Sequence, residues 1–127
     1  VTKFLRLEQV IAFHDAIPDK EDGIRDVGII ASACGRPQAT AFGEDAYSTV
    51  WEKAAAFMQS LARNHGFVDA NKRTAWISVT AFLDQNGHPL DPDFDKLTAY
   101  ALVQAVATGH IADVALIANE LVKFAIR

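Results

Sequence analysis

Residues 49–64, TVWEKAAAFMQSLARN, and residues 71–87, NKRTAWISVTAFLDQNG, decide the fold. In the first stretch Val50, Trp51, Ala54, Ala55, Phe57, Met58, Leu61 and Ala62 recur at helical spacing, with Glu52, Lys53, Gln59 and Arg63 outside that face. Thr49 and Glu52 have the spacing of a capping box, so the helix begins near Ser48. It should end around residues 64–66, where a small polar residue and a glycine permit a left-handed turn. In the second stretch Ala75, Trp76, Ile77, Val79, Ala81, Phe82 and Leu83 surround a helix over 71–86 almost completely, which predicts the central helix of a bundle. Gly87 and the following His88-Pro89 stop it.

Working outward, Asp91-Pro92 reads as the cap and first turn of a further helix that buries Phe94, Leu97, Ala101, Leu102, Ala105 and Val106 and ends at Gly109. A last helix is expected over 113–125, with Val114, Ile117, Leu121 and Phe124 inward. Shorter helices are expected over 8–16 and 27–33. Residues 35–47 lack apolar periodicity and hold Gly35, Pro37 and Gly43, so they read as a loop or short hairpin. The fold class is therefore all-α: about six helices in a single domain over 1–127, with no repeat or linker.

Composition narrows the function classes. Half of the 127 residues are apolar and 22% are charged, as in a compact globular chain rather than a disordered one. A net charge of −4 argues against direct nucleic-acid binding. No apolar run approaches a membrane span, and residues 1–6 lack the apolar region of a signal peptide. One cysteine, Cys34, cannot form an internal disulfide and reads as a buried inert thiol. The expectation is a cytoplasmic protein. The pair His14-Asp15 has the types for a base and its orienting group but reads as ordinary exposed neighbours, and His88 and His110 read as turn residues. Zinc-ligand spacings are missing from the sequence.

The chemistry concentrates at residues 64–74, NHGFVDANKRT. A helix N-terminus carries partial positive charge and ordinarily takes acidic residues in its first turn. Here Lys72 and Arg73 occupy that turn. The gain that would offset the repulsion is an anion held by backbone N–H groups and both cations, that is, a phosphate. Asp69 has the oxygens for Mg2+, and His65 could take a proton from a hydroxyl near neutral pH. Phe67 would anchor the loop in the core, and Asn71 could either tie backbone groups or touch phosphate. Taken singly, His65 reads as a helix-end group, Asp69 or Asn71 as an N-cap, and Lys72-Arg73 as an exposed pair beside Asp69. Their concentration in one loop favours a phosphate-handling site.

The run His65-Gly66-Phe67-Val68-Asp69-Ala70-Asn71-Lys72-Arg73 resembles the H-x-F-x-D-A/G-N-K-R signature of the death-on-curing (Doc) toxins, a branch of the Fic superfamily. The upstream residues Asp26-Val27-Gly28-Ile29, Ser32-Ala33, Arg36-Pro37-Gln38, Tyr47 and Lys53-Ala54-Ala55 resemble that family in order and spacing. The resemblance implies an all-α Fic fold whose active centre is this loop. It also implies a toxin of a toxin–antitoxin system, a protein kinase that moves the γ-phosphoryl of ATP to a threonine of elongation factor Tu and blocks translation. His65 would then be the general base and Asp69 the Mg2+ ligand. Asn71, Lys72 and Arg73 would bind the nucleotide phosphates, Phe67 would seat the loop, and residues 35–47 would form the flap beside the target.

Two departures from the wider Fic pattern, H-P-F-x-D/E-G-N-G-R-x-x-R, bear on the reaction. Lys72 stands in place of a glycine and Trp76 in place of the second arginine, which weighs against a protein AMP transferase and fits the kinase branch. Gly66 replaces a common proline, which should loosen the loop. The family's inhibitory motif has only a weak counterpart at Ser48–Glu52, inside the predicted helix, so inhibition is expected in trans from the disordered C-terminal segment of a cognate antitoxin that folds onto the toxin. The remaining alternative is a catalytically silent antitoxin-binding module.

Overall fold

The computed structural model describes residues 1–126, and six α-helices account for most of them: α1 (Leu7–Ala16), α2 (Val27–Gly35), α3 (Val50–Arg63), α4 (Asn71–Gln85), α5 (Lys96–Thr108) and α6 (Val114–Val122). The all-α architecture and the pairing of two long helices around the loop agree with the sequence. Thr49 caps α3, its hydroxyl oxygen accepting from the Glu52 N–H at 3.1 Å. Among the described residues no helix is long and apolar enough to cross a membrane.

The central helix is α3, not α4 as its apolar girth suggested. Every residue from Lys53 to Met58 is buried, because three consecutive alanines, Ala54, Ala55 and Ala56, let neighbours approach from several sides. α3 accordingly packs against α2, α4, α5 and α6. One continuous core joins Val10, Ile30, Phe57, Met58, Val79, Phe82, Leu102, Val106, Ile117 and Leu121. Phe57 meets Phe82 edge-on at 6.2 Å; each such fully buried ring contributes about 2 kcal/mol by area alone. α4 instead leaves Ile77 exposed and Trp76 half-buried, facing a cleft described below.

The reading of α5 also shifts. Asp91 does not cap it: the Asp91 N–H donates to the Phe124 carbonyl at 2.8 Å and Leu90 pairs with Ala125, so this segment is extended against the C-terminal end of the fold. The Asp91 carboxylate accepts from the Asp93 N–H in a turn, and Asp95 caps the helix through the Leu97 N–H at 3.1 Å. The buried face becomes Ala99, Leu102, Val103 and Val106, while Leu97 and Ala101 face outward. α6 starts where expected, under an Asp113 cap, and is shorter than expected, ending at Val122, with Phe124 still buried beyond it.

Residues 35–47 form a single turn of 3-10 helix, Arg36–Gln38, and a hairpin of β1 (Thr40–Ala41) and β2 (Glu44–Asp45). Its turn residues Phe42 and Gly43 both have positive φ, 54° and 80°, the pattern that matches strand twist in two-residue hairpins. Phe42 is wholly exposed at the tip. Two cations fix the hairpin to α3. Lys53, buried in α3, donates to Asp45 Oδ2 at 3.0 Å and to the Tyr47 carbonyl. Arg36 donates to the Tyr47 hydroxyl, the Ala56 carbonyl and Ser60 Oγ, each at 3.1 Å.

Candidate active site

The loop between α3 and α4 bends through two residues that are not glycine yet lie in the left-handed region: His65 at φ 52° and Ala70 at φ 64°. Such backbone costs about 1 kcal/mol or more per residue and persists only where its surroundings hold it. Here they do, from three sides. From within the loop, Asn71 is buried and clamps Phe67: its Oδ1 accepts from the Phe67 N–H and its Nδ2 donates to the Phe67 carbonyl, both at 3.0 Å. Beneath it, the buried Phe67 ring stacks on His14 of α1 with centroids 3.9 Å apart and planes 7° from parallel.

The third support is a strap, residues 18–26, lying antiparallel to the loop. Ile24 pairs with Phe67, and the Val68 N–H donates to the Gly23 carbonyl at 3.1 Å. The Gly66 carbonyl accepts from both the Arg25 and Asp26 N–H groups, at 2.8 and 3.0 Å. The Arg25 side chain donates through Nε to the His65 carbonyl at 2.6 Å and through Nη2 to the Asn64 carbonyl at 3.0 Å. Arg25 thus places a cation on the two carbonyls that directly follow α3, where positive charge interacts favourably with the C-terminal end of the helix dipole. Gly66 does not loosen this assembly. It is buried, and a Cβ there would stand 2.5 Å from Ile30 Cγ1, so only glycine fits the space.

The six residues singled out from the sequence divide into two layers. Phe67 and Asn71 lie underneath as the loop's anchors. His65 is exposed and lies outside the cleft lining, whereas Asp69, Lys72 and Arg73 line a cleft of about 810 Å3 between α1, α4 and α5. The cleft's walls are otherwise aromatic and aliphatic, with Phe13, Ile17, Trp76, Phe94 and Tyr100 among them. Lys72 Nζ donates to Gln104 Oε1 at 2.8 Å and stands 5.9 Å from the Tyr100 ring centre. Arg73 Nη1 donates to the Pro18 carbonyl at 3.2 Å. Neither cation spends its full donor capacity on these contacts, so both can take anionic oxygens. Trp76 is turned into an aromatic cluster, 5.3 Å from both Phe94 and Phe124.

Asp69 is half-buried. Its Oδ2 accepts from the Glu21 N–H at 2.9 Å and its Oδ1 from the Ala70 N–H at 2.7 Å. The Glu21 and Ala70 amides, with smaller help from the charge of Arg73, hold its carboxyl below the ordinary range despite some desolvation. The group is therefore an anion with lone pairs to spare at the cleft's edge. Among the described residues no group of three or more His, Cys, Asp or Glu side chains surrounds a metal position. A lone carboxylate beside two phosphate-ready cations suits Mg2+, which keeps waters and arrives with nucleotide phosphates rather than in an all-protein cage.

Sequence reasoning passed over two residues. His14, read as an exposed neighbour of Asp15, is buried beneath the loop, and Arg25 was not singled out at all. The helical spacing of Val10 and His14 in α1 was the available signal, since a residue four after a core valine shares its face. The Ser48–Glu52 pair is accounted for locally. Glu52 Oε1 accepts from the Ser48 and Thr49 hydroxyls at 3.2 and 3.1 Å, closing the start of α3 rather than reaching the cleft.

Comparison with known proteins identifies the family. Residues 4–83 match the Fic/DOC family. The chain is similar to Toxin Doc of Mycolicibacterium smegmatis (strain ATCC 700084 / mc(2)155), 46% identical over 125 residues that cover 98% of this chain and 95% of the relative. It is also similar to Protein kinase doc of Escherichia phage P1, 34% identical over 111 residues, 84% of this chain and 87% of the relative. With its signature loop strapped and clamped beside a largely apolar cleft that holds Lys72 and Arg73, the chain belongs to the Fic/DOC family.

Proposed function

We propose that this protein is the toxin of a toxin–antitoxin system, acting in the cytoplasm as a protein kinase that transfers the γ-phosphoryl of ATP to a threonine of elongation factor Tu. The observation that carries the reading is the convergence of Asp69, Lys72 and Arg73 on one cleft at the start of α4. Lys72 and Arg73 bind the nucleotide phosphates, and Asn71 keeps the loop in register beneath them, with one amide hydrogen left for a phosphate oxygen. Asp69 would hold Mg2+, and the ion would supply positive charge to the phosphate oxygens. His65 accepts the threonine proton as the hydroxyl oxygen attacks the γ-phosphorus; the bond from that phosphorus to the ADP oxygen breaks, and ADP leaves. The names of the two relatives support the kinase and toxin parts of this reading. Lys72 and the cluster-bound Trp76 favour phosphoryl over AMP transfer, since neither reproduces the Fic contacts to the nucleotide.

The partner that restrains the toxin is a cognate antitoxin whose C-terminal segment folds along the apolar cleft. Exposed Leu97 and Tyr100 on α5 and Ile77 on α4 support a docking face there, and an occupant would cover Lys72 and Arg73. The test uses γ-labelled and α-labelled ATP with Mg2+ and purified elongation factor Tu, with His65→Ala as control. Label from the γ position alone, lost in the control, is expected. Label from the α position would make the protein an AMP transferase, and no transfer would overturn the target assignment.

A further inference from the structure

His14 is the one buried imidazole among the described residues, 1% exposed, and the proposed reaction does not use it. Its Nε2 lies 2.9 Å from the Asp69 carbonyl oxygen. A carbonyl only accepts, so Nε2 carries the proton and donates. Nδ1 is buried with no hydrogen-bond partner among the described residues, 3.6 Å from Asp15 Oδ1. A buried unpaired nitrogen is unfavourable, and a phenyl ring would stack on Phe67 without it. What the imidazole supplies and a phenyl ring does not is the donor aimed at Asp69.

That donor acts on a single peptide plane. The Asp69–Ala70 peptide has its carbonyl end held by His14 and its N–H end bonded at 2.7 Å to Oδ1 of the Asp69 side chain. Rotation of the plane would swing the N–H and release Oδ1. The same plane leads into Ala70 at φ 64°, where no cap side chain steadies the start of α4. We propose that His14 is a positioning residue: by fixing the Asp69–Ala70 peptide it sets the direction of the Asp69 carboxylate toward the divalent cation that accompanies the nucleotide. This rests on the reading of Asp69 as the Mg2+ ligand. Partners one shell out from a metal typically change affinity by about 10- to 100-fold when removed.

Two substitutions separate positioning from packing. His14→Phe keeps the ring on Phe67 and removes the donor; His14→Gln keeps a donor near the Nε2 position and removes the ring. Mg2+ binding is measured by calorimetry on the full chain saturated with a non-hydrolysable ATP analogue, alongside analogue binding without metal and thermal unfolding. The expected result is a loss of about tenfold in Mg2+ affinity for His14→Phe, with metal-free analogue binding unchanged within about twofold. His14→Gln should recover Mg2+ affinity to within about threefold of the parent, although it melts lower. If His14→Phe binds Mg2+ as the parent does, or outperforms His14→Gln, the role is packing and the inference fails. If the parent itself shows no Mg2+ binding, the assignment of Asp69 falls and this inference with it. Should His14→Phe not fold, His14→Asn, whose amide is too short to reach, replaces it against His14→Gln with the same two outcomes.

Discussion

Substituting Asn71 by alanine tests whether the loop is held from beneath or only occupied from above. The change removes both polar atoms of a buried amide and leaves the Phe67 N–H and carbonyl without their partners, each formerly at 3.0 Å. An orphaned buried backbone group costs about 1–3 kcal/mol, so the pair should lose about 2–4 kcal/mol after partial relaxation. Unfolding entropy near the midpoint is about 2.1 cal/mol/K per residue, or about 270 cal/mol/K for 127 residues. The melting temperature should therefore fall by about 7–15 °C. Circular dichroism on melting reads the global loss, and hydrogen exchange at the Phe67 amide reads the local one, which should become fast well below the melting point. A side chain that served only a phosphate would leave both unchanged and weaken ATP binding alone. A fall of less than about 2 °C with a protected Phe67 amide would refute the clamp.

Other positions give sharper contrasts. Lys72→Ala should raise the KM for ATP by about tenfold or more while melting within about 2 °C of the parent, because its half-exposed contact to Gln104 contributes little; steady-state kinetics and melting check both. Gly66→Ala should cost about 1–3 kcal/mol from the 2.5 Å approach to Ile30 Cγ1, and in a double-mutant cycle Ile30→Ala should return more than about 1 kcal/mol of it; additive losses would mean the clash is absent. Lys53→Met should free the hairpin, seen as faster chymotrypsin cleavage after the exposed Phe42 with only a small change in melting temperature. Burial, with a smaller push from the charge of Glu8, raises the Cys34 thiol from 9.0 to about 11. Cys34 should thus react slowly with a thiol reagent at pH 8. Between those two values the unfolded state holds fewer protons than the folded one, so this group makes stability fall as pH rises, which urea titrations across the window would reveal.

Local signals carried the two long helices and the signature loop into plain view. Thr49 and Glu52 marked the start of α3, and the misplaced cations Lys72 and Arg73 marked the site, because both depend on residues within a turn of each other. What stayed hidden depends on distant parts of the chain. The run of three alanines that makes α3 central gains meaning only when neighbours close on it. Asp91 resembles a helix cap until Phe124 takes its amide. The roles of His14 and Arg25 require α1 and the strap to be folded over a loop lying far along the sequence.

Those separations have a consequence for when activity arises. The contacts that hold the loop from outside bridge 39 residues from Arg25 to Asn64, 48 from Glu21 to Asp69 and 55 from His14 to Asp69. Closures of that length are slow relative to helix formation, and their entropy must be met before the contacts return anything. α3 and α4 alone therefore place the signature residues on a hinge of unsupported backbone. Competence for chemistry is a property of the finished tertiary structure, so a fragment that begins after the strap would carry every signature residue and still be harmless to the cell that makes it.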